Sequence, residues 1–568
     1  FYQRYMVPFA HCLTQMEREG VYLDLEYLRQ AETDAQRHYK QAEEEFLAWV
    51  VSMIGDAGRH MNPTSGAHLQ TFLFGGSRCK GSDEVVPATR KFQVPLVESE
   101  RHRLAQDLYE STDPYELMTG VQLKAECKRR GLKQSGKKAE VLERLQESDT
   151  EGGGWYLEES LLQELVEKCV AKIKTRDVTI TSLGLTPTSF TKKGAPAVDI
   201  AALRDLAGHP RDDPPKWGRA YKAFGCGQHG QRACLALDSL ITLSMIGTCL
   251  STFLLPLQSL VDPHSRIHGS LNLNTETGRL SSRRPNLQNQ PALEKDQYKI
   301  RKAFRAEPGN TLIVADYGQL ELRILAHMTN CRSMIEAFKS GVDFHSSTAV
   351  DMFPHIQQAI QSGEVVMEWH GEGKCPKPLV KDVYAAERRQ AKTLNFSIVY
   401  GKTVMGLSKD WGVSPEEAQQ LLDKWYDARP EVRAWQEQIK RDAHAYGWSK
   451  TLMGRYRRLH SINHPSKAKQ AHMERAAINT PVQGGAADIV ILAMVKLQQS
   501  EKLKALGYRL LLQIHDEVIV EGPEEHVEEA QAEVVRCMEE PWDDYGLERL
   551  KVRLEVDADH AHSWYEAK

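Results

Sequence analysis

Two aspartates stand where a chain can aim them. In NTLIVADYGQLELRILAHMT, the apolar run 312–315 reads as a buried strand that ends in Asp316, and a helical pattern begins directly after it. In RLLLQIHDEVIVEG, two short apolar runs, 510–512 and 518–520, flank His515, Asp516 and Glu517, where a hairpin usually carries Gly or Asn. A polar turn would explain the second stretch on its own. If the two strands share a sheet, Asp316 and Asp516 converge, and two carboxylates about 4 Å apart repel by roughly 4 kcal/mol at an effective dielectric near 20. Either one takes a proton or cations sit between them. Hard oxygen ligands favour Mg²⁺, which keeps positions for water and substrate phosphates. Such a site suits phosphoryl or nucleotidyl transfer with two metal ions.

A third stretch, ERRQAKTLNFSIVYGK, places Arg388, Lys392, Phe396 and Tyr400 four residues apart, one stripe on a helix that ends at Gly401. A core stripe would not begin with Arg and Lys, and a solvated face would not end with Phe and Tyr. Cations for a triphosphate, then rings for a base and sugar, explain the whole order. A plain amphipathic helix is the competing reading.

These residues need a large scaffold, and the chain supplies one. Its 568 residues, 41% hydrophobic and 26% charged, describe an ordinary globular protein of several domains. The net charge of −4 and pI of about 6.6 do not announce a nucleic-acid partner, so basic residues that bind one must cluster on a face. No apolar run approaches the ~20 residues of a membrane span, and no membrane partner is expected. Phe1 is not an initiator methionine, so a fragment or processed product is expected, with any leader in the missing part. The 10 cysteines include no CxxC pair; Cys226, His229 and Cys234 come nearest to a metal pattern but lack a second half, and free thiols are expected.

Along the chain, apolar residues from Leu28 to Met53 predict a long amphipathic helix over 25–55, and 76–113 reads as irregular. From Asp113 the pattern tightens into a helix–loop–helix. Thr119 caps the first helix, Gly131 ends it and Ser135 caps the second, over a small core of Leu123, Cys127, Val141, Leu142 and Leu145. This segment, most of all GLKQSGKKAEVLERL, resembles a SAP module, which implies DNA contact through Lys124, Lys128, Arg129, Arg130, Lys137 and Lys138. A basic cluster around a Ser-Gly loop suits phosphates rather than base reading. A solvated helical hairpin is the alternative. SDTEGGGW then reads as a flexible exit, 155–205 as further helices, HPRDDPPKWGR as a break, and 233–259 as a buried helix ending at Pro256.

Taken together the motifs closely resemble the family A DNA polymerases. DYGQLELR at 316–323 and QIHDEVIVEG at 513–522 are similar to that family's palm motifs, and RRQAKTLNFSIVYG at 388–401 to its fingers helix. TETGRLSSRRPNLQNQP at 275–291 and ERAAINTPVQGGAADI at 474–489 are similar to its template–primer motifs. The resemblance implies an α+β right-hand fold of thumb, fingers and a palm with an antiparallel sheet, mostly helical outside the palm. The expected divisions are 1–75 thumb and palm-connecting helices, 76–150 an insertion with the SAP-like module at about 114–147, 151–262 the rest of the thumb, 263–328 and 474–568 palm, and 329–473 fingers.

By the same resemblance, Asp316 and Asp516 hold two Mg²⁺ ions, with Mn²⁺ as an alternative, and Tyr317 lends its carbonyl. One ion activates a primer 3′-hydroxyl and the other holds the triphosphate. Glu517 is an auxiliary carboxylate. His345, Arg388 and Lys392 grip the triphosphate, with Lys392 as the acid for the leaving pyrophosphate. Gln319, Phe396 and Tyr400 complete the dNTP site. Glu321, propped on Tyr400, excludes a ribose 2′-hydroxyl. Arg279, Asn286, Gln288, Arg475, Asn479, Gln483 and His515 meet the primer–template, chiefly through minor-groove acceptors shared by all base pairs.

The implied protein is a monomeric, template-directed DNA polymerase acting in replication and repair, with primer–template DNA and dNTPs as partners and replisome accessory proteins as further ones. NFSIVYGKTVMGLSKDWGV and DADHAHSWYEAK look most like the plant and algal organellar branch, which implies a plastid or mitochondrial address. Compared with bacterial members the chain carries extra sequence at 361–382, and no proofreading exonuclease is expected within it. Two alternatives stand: a single-subunit RNA polymerase, against which Glu321, Phe396, TGRLSS and QGGAAD argue, and a non-catalytic DNA-binding subunit, which would be free to lose Asp316, Asp516 or Lys392.

Overall fold

The computed structural model describes residues 2–111, 113–152, 159–291, 296–369, 375–542 and 548–568. The chain divides into two compact units, Phe1–Asp34 with Cys249–Lys568, and Ala35–Thr248.

In the first unit, strand β1 (Asn310–Tyr317) is followed by helices α1 (Leu320–Thr329), α2 (Phe344–Met352), α3 (Ala385–Val399) and α4 (Lys467–Gln499). Strands β2 (Arg509–Ile514), β3 (Glu517–Pro523) and β4 (Val556–Ala561) come last. They form one antiparallel sheet in the order β2–β3–β1–β4. The two stretches singled out in the sequence thus share a sheet. β3 lies against β1 from Glu517 opposite Asp316 to Pro523 opposite Asn310. Alternation along β1 turns Ile313, Ala315 and Tyr317 to one face, where they pack with Ile489, Val490, Ala493 and Met494 of α4. The other side of α1 joins α2 and α3 in a second core through Leu322, Leu325, Phe344, Leu394, Ile398 and Trp425.

Helix α4 shows why QGGAAD has its composition. Pro481 lacks an N–H, which leaves the Ala477 carbonyl without its helical donor. The Ser449 hydroxyl takes that place at 2.8 Å. A Cβ on Gly484 would lie 2.5 Å from the Thr451 side chain, so only glycine lets the segment carrying Ser449 and Thr451 seat this closely.

In the second unit, Phe46, Trp49, Phe72, Leu237 and Leu240 form the main core. The helix predicted over 25–55 is observed as Leu25–Ile54. The stretch 76–113 is more regular than its sequence implies. Thr89–Pro95 is a strand paired antiparallel with Thr175–Thr181, inside the region read as helical, and Glu98–Ser111 is a helix. The helix expected at 233–259 starts at Gly227 and continues through a π turn, Leu250–Leu254, into Leu255–Ser259. Pro256 sits in the first turn of that last segment, where a missing N–H costs nothing, rather than ending the helix. Nor is it buried all round, since Met245 is 50% exposed.

By length and composition two helices are apolar enough to cross a membrane, Gly227–Ser259 and Lys467–Gln499, contrary to the sequence reading. The second is 89% buried over its most apolar window, as a core helix is.

The helix–loop–helix is observed as Gly120–Arg129 and Lys138–Gly152. Thr119 caps the first helix reciprocally with Gln122, as read. Ser135 does not cap the second, which begins three residues later; Glu140 accepts the Lys137 N–H instead. The exit read in SDTEGGGW begins as helix up to Gly152, and its end lies outside the described residues. The small core gains Tyr115, Met118 and Leu165 beside the expected residues. All cysteines are free thiols, and Cys234 is buried against the Leu206 carbonyl while Cys226 is exposed.

Candidate active site

Asp316 is the penultimate residue of β1, with its side chain 44% exposed. Asp516 occupies the two-residue turn between β2 and β3, where His515 adopts φ +56°. The backbones touch: the Tyr317 N–H donates to the Asp516 carbonyl at 3.2 Å. Burial raises the Asp516 carboxyl above the usual carboxylate range, with Arg279 opposing and the charge of Asp316 adding to the rise. A cation between the two aspartates would remove that penalty. Among the described residues no cluster of three or more His, Cys, Asp or Glu side chains could hold a metal by itself. Two carboxylates with the Tyr317 carbonyl nonetheless fit a hard cation completed by water and substrate phosphates.

Glu517, directly opposite Asp316, is 2% exposed and already partnered. It accepts from the Trp564 indole N–H at 2.7 Å and from the Lys568 ammonium, which also lies 3.5 Å from Asp316. Asp557 faces Asp316 from β4. Asp557, Trp564 and Lys568 stand in the quoted stretch DADHAHSWYEAK, but the sequence assigned them no part in the site. They reach the site only because β4 returns to pair with β1.

Glu321 lies in the first turn of α1 and is 3% exposed. The Tyr400 hydroxyl donates to it at 2.8 Å, and Arg279 pairs with it while lying 3.8 Å from Asp516. Burial raises the Glu321 carboxyl, with Arg279 pulling it back. Tyr400 follows the last turn of α3 and stacks with Phe396, ring centroids 6.3 Å apart. Arg475 of α4 lies against Gly401 just beyond.

At the other end of the stripe, Arg388 Nε donates to Asp343 at 2.7 Å, while Lys392 is exposed. Asp343 caps α2 by accepting the Ser346 N–H at 3.0 Å and also accepts from Gln319 Nε2 at 3.2 Å. Its carboxyl is held near 2, chiefly by Arg388 and Ser346 against the cost of burial. This junction was missed in the sequence, although an Asp three residues before a Ser at a helix start is a readable cap. Gln319 holds φ +56° in the turn between β1 and α1, and its Oε1 is buried without a protein donor.

His345 is 3% exposed. The Trp425 indole can only donate, and it donates to Asn395 Oδ1 at 2.8 Å, which turns the Asn395 amide nitrogen toward His345 Nδ1 at 3.0 Å. Nδ1 therefore accepts and the ring proton sits on Nε2. Burial, reinforced by Arg388 and Lys392 and opposed by Asp343, lowers this imidazole to about 4. It is neutral at pH 7, a hydrogen-bond donor rather than a cation. The ring C–H resonances of His345 should titrate near pH 4 in NMR of the free chain; a midpoint near 6.5 would contradict this arrangement.

The expected duplex contacts divide. Asn479 Nδ2 donates to Gln483 at 2.8 Å and its Oδ1 is buried without a donor, while Asn286 and His515 are exposed. Gln288 is 9% exposed and its amide donates to the Gln513 carbonyl at 3.1 Å, which braces β2. Arg130 is 10% exposed and pairs with Glu126 at 2.7 Å and Asp149 at 2.6 Å, beside the Tyr115 hydroxyl. Arg129 also pairs with Glu126 at 2.7 Å. Lys124, Lys128, Lys137 and Lys138 are exposed.

The model of "DNA polymerase family A" matches residues 233–364 and 374–566, and the SAP domain model matches 114–150. The chain is 45% identical over its whole length to the protein named DNA polymerase I A, chloroplastic/mitochondrial, of Arabidopsis thaliana, covering 52% of that protein. It is 43% identical over its whole length to DNA polymerase I B, mitochondrial, of Oryza sativa subsp. japonica, again covering 52%. The chain thus spans about half the length of these curated relatives. Among solved structures, the POL domain of Pol1 from M. smegmatis, in complex with DNA primer-template and dNTP, superposes with a TM-score of 0.65 at 24% identity, covering 99% of this chain and 70% of that one.

Proposed function

The chain belongs to DNA polymerase family A, and from that premise we propose that it extends a primer 3′-hydroxyl with deoxynucleotides copied from a DNA template. The observation that carries this reading is one continuous tie: Gln319, three residues after Asp316, reaches Asp343, which holds Arg388 on α3. The strand-end carboxylate and the cationic end of the stripe are thereby set against each other, as a metal-bound triphosphate requires.

Asp316, Asp516 and the Tyr317 carbonyl would hold two Mg²⁺ ions, which when bound supply charge neutralisation at the attacking and leaving oxygens. Arg388 and Lys392 bind the triphosphate and neutral His345 donates to it through Nε2–H. Lys392 would donate the proton to the leaving pyrophosphate. Phe396 and Tyr400 stack on the incoming nucleotide, and Glu321 fills the space beside its sugar. Glu517, tied to Trp564 and Lys568, braces β3 at the metal ligands. On this reading 263–328 and 474–568 are palm, 329–473 fingers, and 1–75 with 151–262 the thumb and its connections. The names of the relatives support a plastid or mitochondrial address; a part in DNA replication and repair there belongs to the proposal.

Primer extension with Mg²⁺ and dNTPs tests the proposal. Template-directed extension is expected, and a marked preference for rNTPs would favour an RNA polymerase instead. For the helix–loop–helix, replacing Lys124, Lys128, Lys137 and Lys138 by Ala should weaken primer–template binding and flatten its salt dependence by roughly three counter-ions. Deleting 114–147 should do at least as much. Arg130→Ala should instead loosen the module, because it removes the Asp149 cation and leaves the buried Glu126 carboxylate with Arg129 alone. An unchanged salt slope in the lysine variant would reduce the module to a spacer.

A further inference from the structure

The extra sequence at 361–382 contains a break in the family match, residues 365–373. Its described residues are nevertheless built into the unit. Val365 is 4% exposed within the core shared by α1, α2 and α3, with Met367 packed against that core. Its two limbs are joined by main-chain hydrogen bonds, Val366 N–H to the Pro378 carbonyl at 3.1 Å and Val380 N–H to the Val366 carbonyl at 3.0 Å. From this anchored stem the Glu368 carboxylate accepts the main-chain N–H of Asp343 at 3.0 Å.

Asp343 is the junction already described: its carboxylate caps α2, binds Arg388 and holds Gln319. Its own N–H lies outside the helical ladder and takes its acceptor from Glu368. We propose that Glu368 is a positioning residue for nucleotide binding, contributed by a segment outside the family match, which fixes the start of α2 and with it the spacing of His345 and Arg388. The proposal rests on the reading of those two side chains as the triphosphate grip. Without the Glu368 acceptor, the Asp343 N–H loses a charge-assisted hydrogen bond and the cap can shift. Shifts on the order of 1 Å in groups that orient a substrate are enough to cost binding or rate.

The test uses the full chain with primer–template, Mg²⁺ and a varied dNTP. Glu368→Ala should raise KM for the dNTP by about tenfold, with kcat and primer–template affinity within about twofold of the parent. Glu368→Gln keeps an acceptor oxygen and should bring KM back to within about twofold. Arg388→Ala, measured alongside, must also raise KM; if it does not, the grip itself has been misread. If Arg388→Ala raises KM while Glu368→Ala leaves it unchanged, the grip stands and the role of Glu368 is overturned. It is equally overturned if Glu368→Gln is as impaired as Glu368→Ala, or if kcat, KM and DNA affinity all worsen together as in a general loosening.

Discussion

Asp316→Ala and Asp516→Ala should each lower primer extension by roughly 10³-fold or more, the scale of losing a group that stabilises developing charge. Binding of duplex primer–template should stay within about twofold, since neither carboxylate is needed to hold phosphates. The separation of effects follows from where the residues sit. Asp316 is at the open end of β1, and Asp516 is raised by burial and by its neighbour's charge, so each is a source of repulsion in the folded chain. Removing one should leave the sheet standing, because β3 and β1 are joined over seven registered residue pairs from Glu517 to Pro523. Glu517→Ala differs in kind. It strips the acceptor from the buried Trp564 indole and from Lys568, and should cost stability as well as rate. Extension at parental rates in either aspartate variant, with folding intact, would refute the assignment.

The next largest effect is expected in sugar selection. Glu321→Ala should narrow the preference for dNTPs over rNTPs, measured as a ratio of kcat/KM, by roughly 100-fold. The side chain is fixed from two sides, by the Tyr400 hydroxyl and by Arg279, and is 3% exposed, so it cannot swing aside for a 2′-hydroxyl. Tyr400→Phe removes one of those supports while keeping the ring that stacks with Phe396, and should give a smaller loss in the same direction. Unchanged discrimination in Glu321→Ala would move the selection elsewhere in the pocket.

Much of this site was legible because its chemistry depends on local pattern. A branched run ending in Asp, an Asp in a hairpin turn, and a helix with cations at one end and rings at the other each carry their meaning within a few residues. The Thr119 cap and the small module core were readable for the same reason. What escaped depends on distant pairing. Thr89–Pro95 buries only Val94 among its residues, so its alternation is too weak to mark a strand until Thr175–Thr181 lies beside it. Asp343, Trp564 and Lys568 look ordinary in sequence and acquire their parts from Arg388, Gln319 and Glu517. Arg130 counted as a surface cation because its helix is basic; its burial follows from Glu126 four residues earlier and Asp149 on the next helix. The same limit applies to Glu368, whose contact with Asp343 spans a turn of fold rather than a motif.

The convergence of Asp316 and Asp516 on shared cations is tested most directly by counting bound metal. Mn²⁺ can be titrated, with EPR detection of the free ion, into the chain bound to a 3′-deoxy-terminated primer–template and the next dNTP. Two tightly held ions per complex are expected in the parent, with at least one lost in both Asp316→Ala and Asp516→Ala. Full retention of both ions in either variant would contradict a common site.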